Sequence, residues 1–248
     1  MRVVITGASS GIGEALARHY ASPDTVLGLI SRRPAHPALP GKVISYPVDV
    51  ADERALAAAA QDFIRRFGAP DLVIANAGIS TGTSGEDVND VAKLRRALEV
   101  NVVGLAATLA AFAPAMRQAG RGTLAGIASV AGFRGLAGNG AYSGSKAAAR
   151  VWMESLRTEL YGSGVSVVCI CPGYIDTPMT RANRFRMPFL LSADEAAPRI
   201  ARAIAARRRL AVIPWQMAVV SVLLRAMPGW LYDRFASRAP RKPRDVAI

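Results

Sequence analysis

A chain of 248 residues, half of them apolar, is long enough to bury a large core in one α/β unit. Its two cysteines, Cys169 and Cys171, exclude a disulfide framework, and its two histidines, His19 and His36, lack clustered partners, which argues against a catalytic zinc site or any other bound metal. The net charge of +13 is uneven: residues 196–248 hold eleven basic side chains against Asp233 and Asp245, a surface that is either solvated or open to an anionic partner.

Arg2 to Thr6 reads as a first strand. It follows Met1 directly, without the 7–15 apolar residues of a secretory signal, so a cytoplasmic protein is expected. A glycine-rich turn leads into a helix from Gly11 to His19. Thr25 to Ile30 and Lys42 to Tyr46 give two further strands, and Ala51 to Phe67 a second helix. Asp71 to Ala75 is a fourth strand, followed by one long helix from Val88 to Arg117. Gly122 to Ala128 is a fifth strand, Tyr142 to Tyr161 a helix, and Val165 to Cys171 a sixth strand. Cys169 and Cys171 share one face of that strand and read as small buried residues of a reducing compartment. Ser192 and Glu195 form a capping box that opens a helix to about Arg208, and Leu210 to Ile213 closes as a seventh strand.

Strands apolar throughout belong in a sheet covered on both faces, and alternation with helices makes that sheet parallel. The expected fold is a doubly wound Rossmann sheet of seven parallel strands in one domain spanning residues 1–248. Within it, residues 1–190 form the cofactor-binding and catalytic core, 178–195 a substrate lid and 214–248 a C-terminal extension. The extension has a hydrophobic stretch from Trp215 to Phe235, interrupted by Arg225 and Pro228, and a loosely ordered tail from Ala236 to Ile248. Its apolar runs fall short of the roughly 20 residues of a bilayer span. They are expected to find cover at the substrate mouth or a subunit interface, with a peripheral membrane contact left open.

Three segments carry chemistry. Thr6-Gly7-Ala8-Ser9-Ser10-Gly11-Ile12-Gly13 lies between a strand and a helix. Gly7 allows a tight turn, Gly11 a close backbone approach, and Gly13 close helix–strand packing, while the helix N-terminus attracts phosphate. The second strand ends in Ser31-Arg32-Arg33, where an NAD-binding chain usually carries a carboxylate. Two guanidinium groups suit a 2′-phosphate, so NADP(H) is favoured over NAD(H). Tyr142 and Lys146, four apart, share a helix face, and a nearby ammonium lowers a phenol's pKa.

With these motifs in hand, the chain resembles the short-chain dehydrogenase/reductase family over about residues 1–190. The parts occur in the family's order: Thr6 to Gly13, Asp49-Val50, Ala75-Asn76-Ala77-Gly78, Asn101, Ser129, Tyr142-x-x-x-Lys146, and Pro172-Gly173-Tyr174-Ile175-Asp176-Thr177. The resemblance implies that Tyr142 is the general acid or base, that Ser129 bonds the substrate oxygen, and that Lys146 holds the nicotinamide ribose and depresses the Tyr142 pKa. It implies that Asn101 anchors a water leading from Lys146 to solvent. Ser9, Ser10, Ile12 and Gly11 would line the phosphates, Asp49 and Val50 the adenine, and Asn76, Ala77 and Gly78 would support the cofactor pocket. Pro172, Gly173, Ile175 and Thr177 would meet the nicotinamide end. Ala75 stands where the family has its first Asn, leaving one strand-linking bond in doubt, and Gly144 replaces a common Ala, which loosens the helix by up to about 1 kcal/mol.

The expected activity is hydride transfer between NADP(H) and a carbonyl or alcohol carbon of an apolar small molecule. A homodimer or homotetramer is implied by the resemblance, formed through the helices carrying Asn101 and Tyr142. The alternative is a non-catalytic nicotinamide-binding regulator or scaffold on the same fold. A nucleic-acid partner is not expected, since only the basic C-terminal portion would favour one.

Overall fold

The computed structural model describes residues 1–34 and 39–244. His36, Asp245 and the last residues of the tail lie outside them. Alternation of buried runs with helices builds seven strands: β1 (Arg2–Thr6), β2 (Val26–Ile30), β3 (Lys42–Tyr46), β4 (Leu72–Ala75), β5 (Gly122–Ile127), β6 (Val165–Pro172) and, after two short strands, β9 (Leu210–Ile213). They lie in the order β3-β2-β1-β4-β5-β6-β9, every pair parallel. The expected seven-stranded parallel Rossmann sheet is thus present. The chain leaves β1 toward one edge and returns at β4 toward the other, so a crevice opens between their C-terminal ends.

The pleat sends alternate residues to two cores. Val3, Ile5, Leu29 and Ile74 pack against α1 (Gly11–Tyr20) and α7 (Ala193–Ala205). Val4, Val73, Leu124 and Val167 face α2 (Glu53–Phe67), α4 (Gly104–Gln118) and α5 (Gly140–Glu159). Gly28 leaves room on that face for Phe63, whose ring a Cβ there would meet at 2.8 Å. Cys169 and Cys171 both join this second core as free thiols. The Ser192–Glu195 capping box opens α7 as expected, while its end comes three residues before the expected Arg208.

Four sequence expectations change. The long helix starts at Asp90 and is interrupted: α3 (Asp90–Leu98) passes into a π-helical turn, Glu99–Val103, before α4. Hydrophobic periodicity is blind to one wide turn, which typically marks a functional site. The helix carrying Tyr142 begins two residues earlier, at Gly140. A second, two-stranded parallel sheet pairs β7 (Ile175–Asp176) with β8 (Leu191–Ser192), bracketing the short helix α6 (Pro178–Arg181) of the lid. That 29-residue helical run from Asp90 to Gln118 is long and apolar enough to cross a membrane, yet Leu105, Leu109, Phe112 and Met116 are buried on the sheet.

The fourth change concerns the C-terminus. The hydrophobic stretch forms α8 (Trp215–Ala226) and α9 (Gly229–Ala236), broken at Pro228 as expected. The tail was expected to be loose, but residues 240–244 form a strap. Lys242 is buried, its Nζ donating to Ser80 Oγ at 2.8 Å and toward the Met179 carbonyl at 3.5 Å. The Gly82 amide donates to the Pro243 carbonyl at 3.1 Å. Arg244 pairs with Asp87 and Asp90, and Lys93 donates to the Arg244 carbonyl. These are tertiary contacts of long sequence separation, which composition cannot reveal.

Asp90 is the anchor of the strap. The Ser84 amide, then Lys93 and Arg244, hold its carboxyl down at about 2. A folded-state pKa below the unfolded value of about 3.9 stabilises the protein fully above that value, and the stabilisation fades as pH falls toward 2. Asp90→Asn is therefore expected to lower the melting temperature at neutral pH, with the gap to wild type narrowing between about pH 4 and pH 2. A gap independent of pH in thermal melts would contradict this role.

Candidate active site

The crevice is built first by β1 and β4. Gly7 turns sharply at φ +67°, a left-handed conformation open to glycine. Asn76, just past β4, donates through Nδ2 to the Thr6 carbonyl at 3.0 Å and the Gly7 carbonyl at 3.3 Å. The Thr6 hydroxyl accepts from the Asn76 and Ala77 amides at 3.1 and 3.2 Å. The strand-linking role left in doubt by Ala75 is thus filled by Thr6 and Asn76, with Ala75 itself buried in the sheet. Gly13 sits so close beneath the turn that a Cβ would stand 2.2 Å from the Gly7 carbonyl. Ser10 begins α1 in extended conformation without using its side chain as a cap. Free N–H groups of the first turn and the Ser9 and Ser10 hydroxyls are therefore available to an anion in the crevice.

Around this turn the crevice gathers Gly7, Ser9, Ser10, Gly11 and Ile12 with Ser31, Arg32 and Arg33 from the end of β2. Asp49, Val50, Asn76, Ala77, Gly78, Pro172, Gly173, Ile175 and Thr177 line the same crevice. Ser129, Tyr142 and Lys146 line it as well. Two expected residues do not: Gly13 acts from below through packing, and Asn101 is fully buried behind the wall. Arg32 and Arg33 are exposed. Burial pushes the Asp49 carboxyl up, but the Ala51 amide and Arg96 outweigh it and hold Asp49 below its usual range.

The polar end is a connected network. Ser129 caps the 3₁₀ turn Val130–Gly132 and faces Tyr142, four residues before Lys146 on α5. Burial raises the Tyr142 phenol above its ordinary value, and the neighbouring Ser129 hydroxyl draws it part of the way back. The lowering expected from Lys146 does not prevail here: its Nζ lies 5.8 Å from the phenol ring centroid and donates to the Ile127 carbonyl at 2.8 Å. Burial lowers Lys146 itself to about 8. Asn101, in the π turn, accepts the Ile79 amide at 2.8 Å and donates to the Ile79 carbonyl and to Ser145 Oγ, both at 2.9 Å. Ser145 donates in turn to the Tyr142 carbonyl at 2.8 Å. The Asn101 side chain is thus engaged with protein groups, holding the Gly78 loop to α5. A Cβ at Gly78 would come 3.1 Å from Asn101 Oδ1 and 3.3 Å from Lys146 Nζ, so this glycine keeps a small gap between them.

Sequence reasoning missed Arg96, Ser145, Met179 and Lys242. Arg96 lines the crevice and bonds Asp49 at 2.9 Å across 47 positions, a separation no local pattern carries. Ser145 could have been singled out, because it adjoins Lys146 within the Tyr142 motif. Met179 lines the crevice from the lid.

A crevice lined by a glycine turn on a helix N-terminus, two arginines, a phenol, a hydroxyl and an ammonium can hold a phosphate-rich dinucleotide and polarise an oxygen beside it. Comparison with known proteins agrees. The family model described as short chain dehydrogenase matches residues 1–187. An uncharacterized oxidoreductase of Myxococcus xanthus is 37% identical over 243 residues, covering 95% of this chain and 96% of the relative. A ketoacyl reductase of Nostoc sp. is 34% identical over 197 residues, covering 76% of this chain and 68% of the relative. The solved structure of an alcohol dehydrogenase from Thermococcus sibiricus, complexed with 5-hydroxy-NADP, matches with a TM-score of 0.73 at 26% identity, over 86% of this chain and 94% of that one. The chain belongs to the short-chain dehydrogenase/reductase family and is an NAD(P)-dependent oxidoreductase.

Proposed function

We propose that the protein interconverts a carbonyl and an alcohol using NADP(H), with Tyr142 as the proton-transfer residue. The observation carrying this reading is the convergence of Ser129, Tyr142 and Lys146 on the same crevice that the Gly7–Ile12 turn lines. A purely regulatory or scaffold protein has no need of that polar set, so the non-catalytic reading is not favoured.

Ser9, Ser10 and the α1 amides would hold the phosphates, Asp49 and Val50 the adenine, and Ile175 and Thr177 the nicotinamide. The bound cofactor supplies or accepts the hydride. The chain's own residues handle the oxygen and its proton. Ser129 Oγ and the Tyr142 hydroxyl both donate to the substrate oxygen. Burial keeps the phenol protonated, which suits it to give its proton to a developing alkoxide in reduction. Lys146, buried against the Ile127 carbonyl, sets a positive field beside the phenolate left behind and stabilises it. Asn101 positions this array through Ile79 and Ser145.

Preference for the 2′-phosphorylated cofactor is supported by Arg32 and Arg33, both exposed at the crevice, and by the missing carboxylate in Ser31–Arg33. The nearest acid, Asp49, is already paired with Arg96. Met179, the apolar residue that lines the crevice from the lid, supports an apolar substrate, and the names of the Nostoc and Thermococcus sibiricus relatives both point to a ketone–alcohol pair. Exposed Val91, Leu94, Leu98, Val103 and Val151 on α3, the π turn and α5 support assembly of two or four copies through those helices. The two buried thiols support a cytoplasmic setting.

Tyr142→Phe is expected to lower kcat by about 10²–10⁴-fold while leaving cofactor affinity within a few-fold. More than about a tenth of wild-type kcat in steady-state assays of the Phe variant would rule Tyr142 out as the proton donor.

In fluorescence titrations NADPH is expected to bind at least about tenfold more tightly than NADH, as one charge-assisted phosphate contact implies. The double variant Arg32→Ala/Arg33→Ala should abolish that ratio. Equal affinities in the wild type would remove the basis for the assignment.

A further inference from the structure

The α8–α9 appendage was expected to bury its apolar side chains, yet within this chain it does the reverse. Along α8 the buried positions are Met217 and Ser221, while Trp215, Val219, Val222, Leu223 and Ala226 face outward. At about 100° per residue these five fall within one arc of about 100°. Trp215 is 71% exposed, Val222 64% and Leu223 62%, and on α9 Trp230 is 73% and Phe235 62% exposed. Five large exposed side chains on two consecutive helices exceed the scattered single apolars of an ordinary surface. The inner side is firmly held. Arg134 donates to the Leu224 and Met227 carbonyls at 3.2 Å, its guanidinium lies 4.3 Å from the Tyr232 ring centroid, and the Tyr232 hydroxyl bonds the Gly135 carbonyl. The outward face is therefore fixed in direction.

Beside it lies a second pocket sharing no residue with the crevice. Phe189, Leu190 and Trp215 form apolar walls, and Arg199, Arg202 and Arg208 surround them. Among the described residues Arg244 is the one arginine of this region paired with carboxylates. Asp233 is the single acidic side chain between residues 196 and 244, against eleven basic ones.

From this juxtaposition we propose that the α8–α9 face docks onto an anionic lipid bilayer. The tryptophans and aliphatic side chains of the exposed arc enter the interface, and Arg199, Arg202 and Arg208, flanking the pocket under Trp215, take the lipid phosphates. Charge decides between a bilayer and a second copy of the chain. Two such faces pressed together would bring arginines against arginines with Asp233 the single acid between residues 196 and 244 to offset them, whereas an anionic bilayer neutralises them. Docking would set α8 and α9 between the bilayer and residues 133–135, the segment just after the Ser129 turn that holds their inner side.

The test is co-sedimentation of the full chain with vesicles of phosphatidylcholine alone or with one third phosphatidylglycerol. The wild type is expected to partition at least about tenfold more strongly onto the anionic vesicles, with loss at high salt. Trp215→Ser/Leu223→Ser/Trp230→Ser should lower partition onto anionic vesicles at least about tenfold with the melting temperature preserved. Arg199→Gln/Arg202→Gln/Arg208→Gln should lower it by roughly a hundredfold, at about fivefold for each arginine. Absence of binding, or binding unaffected by the apolar variant, overturns the proposal. So does a change in oligomeric state of the apolar variant in light scattering without vesicle binding by the wild type, since a second copy would then cover the face. Binding to duplex DNA that is as strong as vesicle binding and insensitive to the apolar variant would likewise count against it.

Discussion

Gly13 has no room for a side chain, because the Gly7 carbonyl lies 2.2 Å from where its Cβ would be and the Asn76 amide 2.5 Å. This contact between a helix, a turn and a neighbouring strand end sets the rest of the site. It lets α1 point its N-terminus into the crevice at short range, and it brings Asn76 close enough to tie the Gly7 turn to β4. The cofactor end is thus fixed by backbone proximity, which rigid parallel strands supply and loops alone would not.

The reacting end depends on a different device. Lys146 is buried with its ammonium on a backbone carbonyl, and burial has already drawn it down to about 8. Holding such a group beside Tyr142 requires that the surrounding polar atoms be satisfied. The π turn achieves this by turning Asn101 inward, where it bonds Ile79 and Ser145, and Ser145 bonds the Tyr142 carbonyl. The wide turn in an otherwise regular helix is therefore the structural origin of the site's preorganisation.

Much of this was legible beforehand. The seven strands and their parallel pairing followed from apolar runs alternating with helices, and nearly every residue of the crevice lay within a motif of fixed spacing, from Gly7 to Thr177. What stayed hidden depends on contacts between distant segments. Arg96 looks like one more surface arginine until the fold sets it against Asp49. Lys242 belongs to a basic tail whose composition suggests looseness, yet it threads between Ser80 and Met179. The phenol of Tyr142 was expected to be lowered by Lys146, but in the structure the depth of its burial, which spacing cannot express, raises it.

The central claim is direct hydride transfer to or from a substrate carbon in this crevice. It is tested most directly by incubating the protein with NADPH deuterated at the transferable C4 position and a panel of ketones and aldehydes, then reading the alcohol products by mass spectrometry. The account predicts one deuterium on the carbinol carbon of at least one product, with none entering that carbon from deuterated water. Alcohol that carries no cofactor label at that carbon, or no alcohol from any member of the panel, would contradict it.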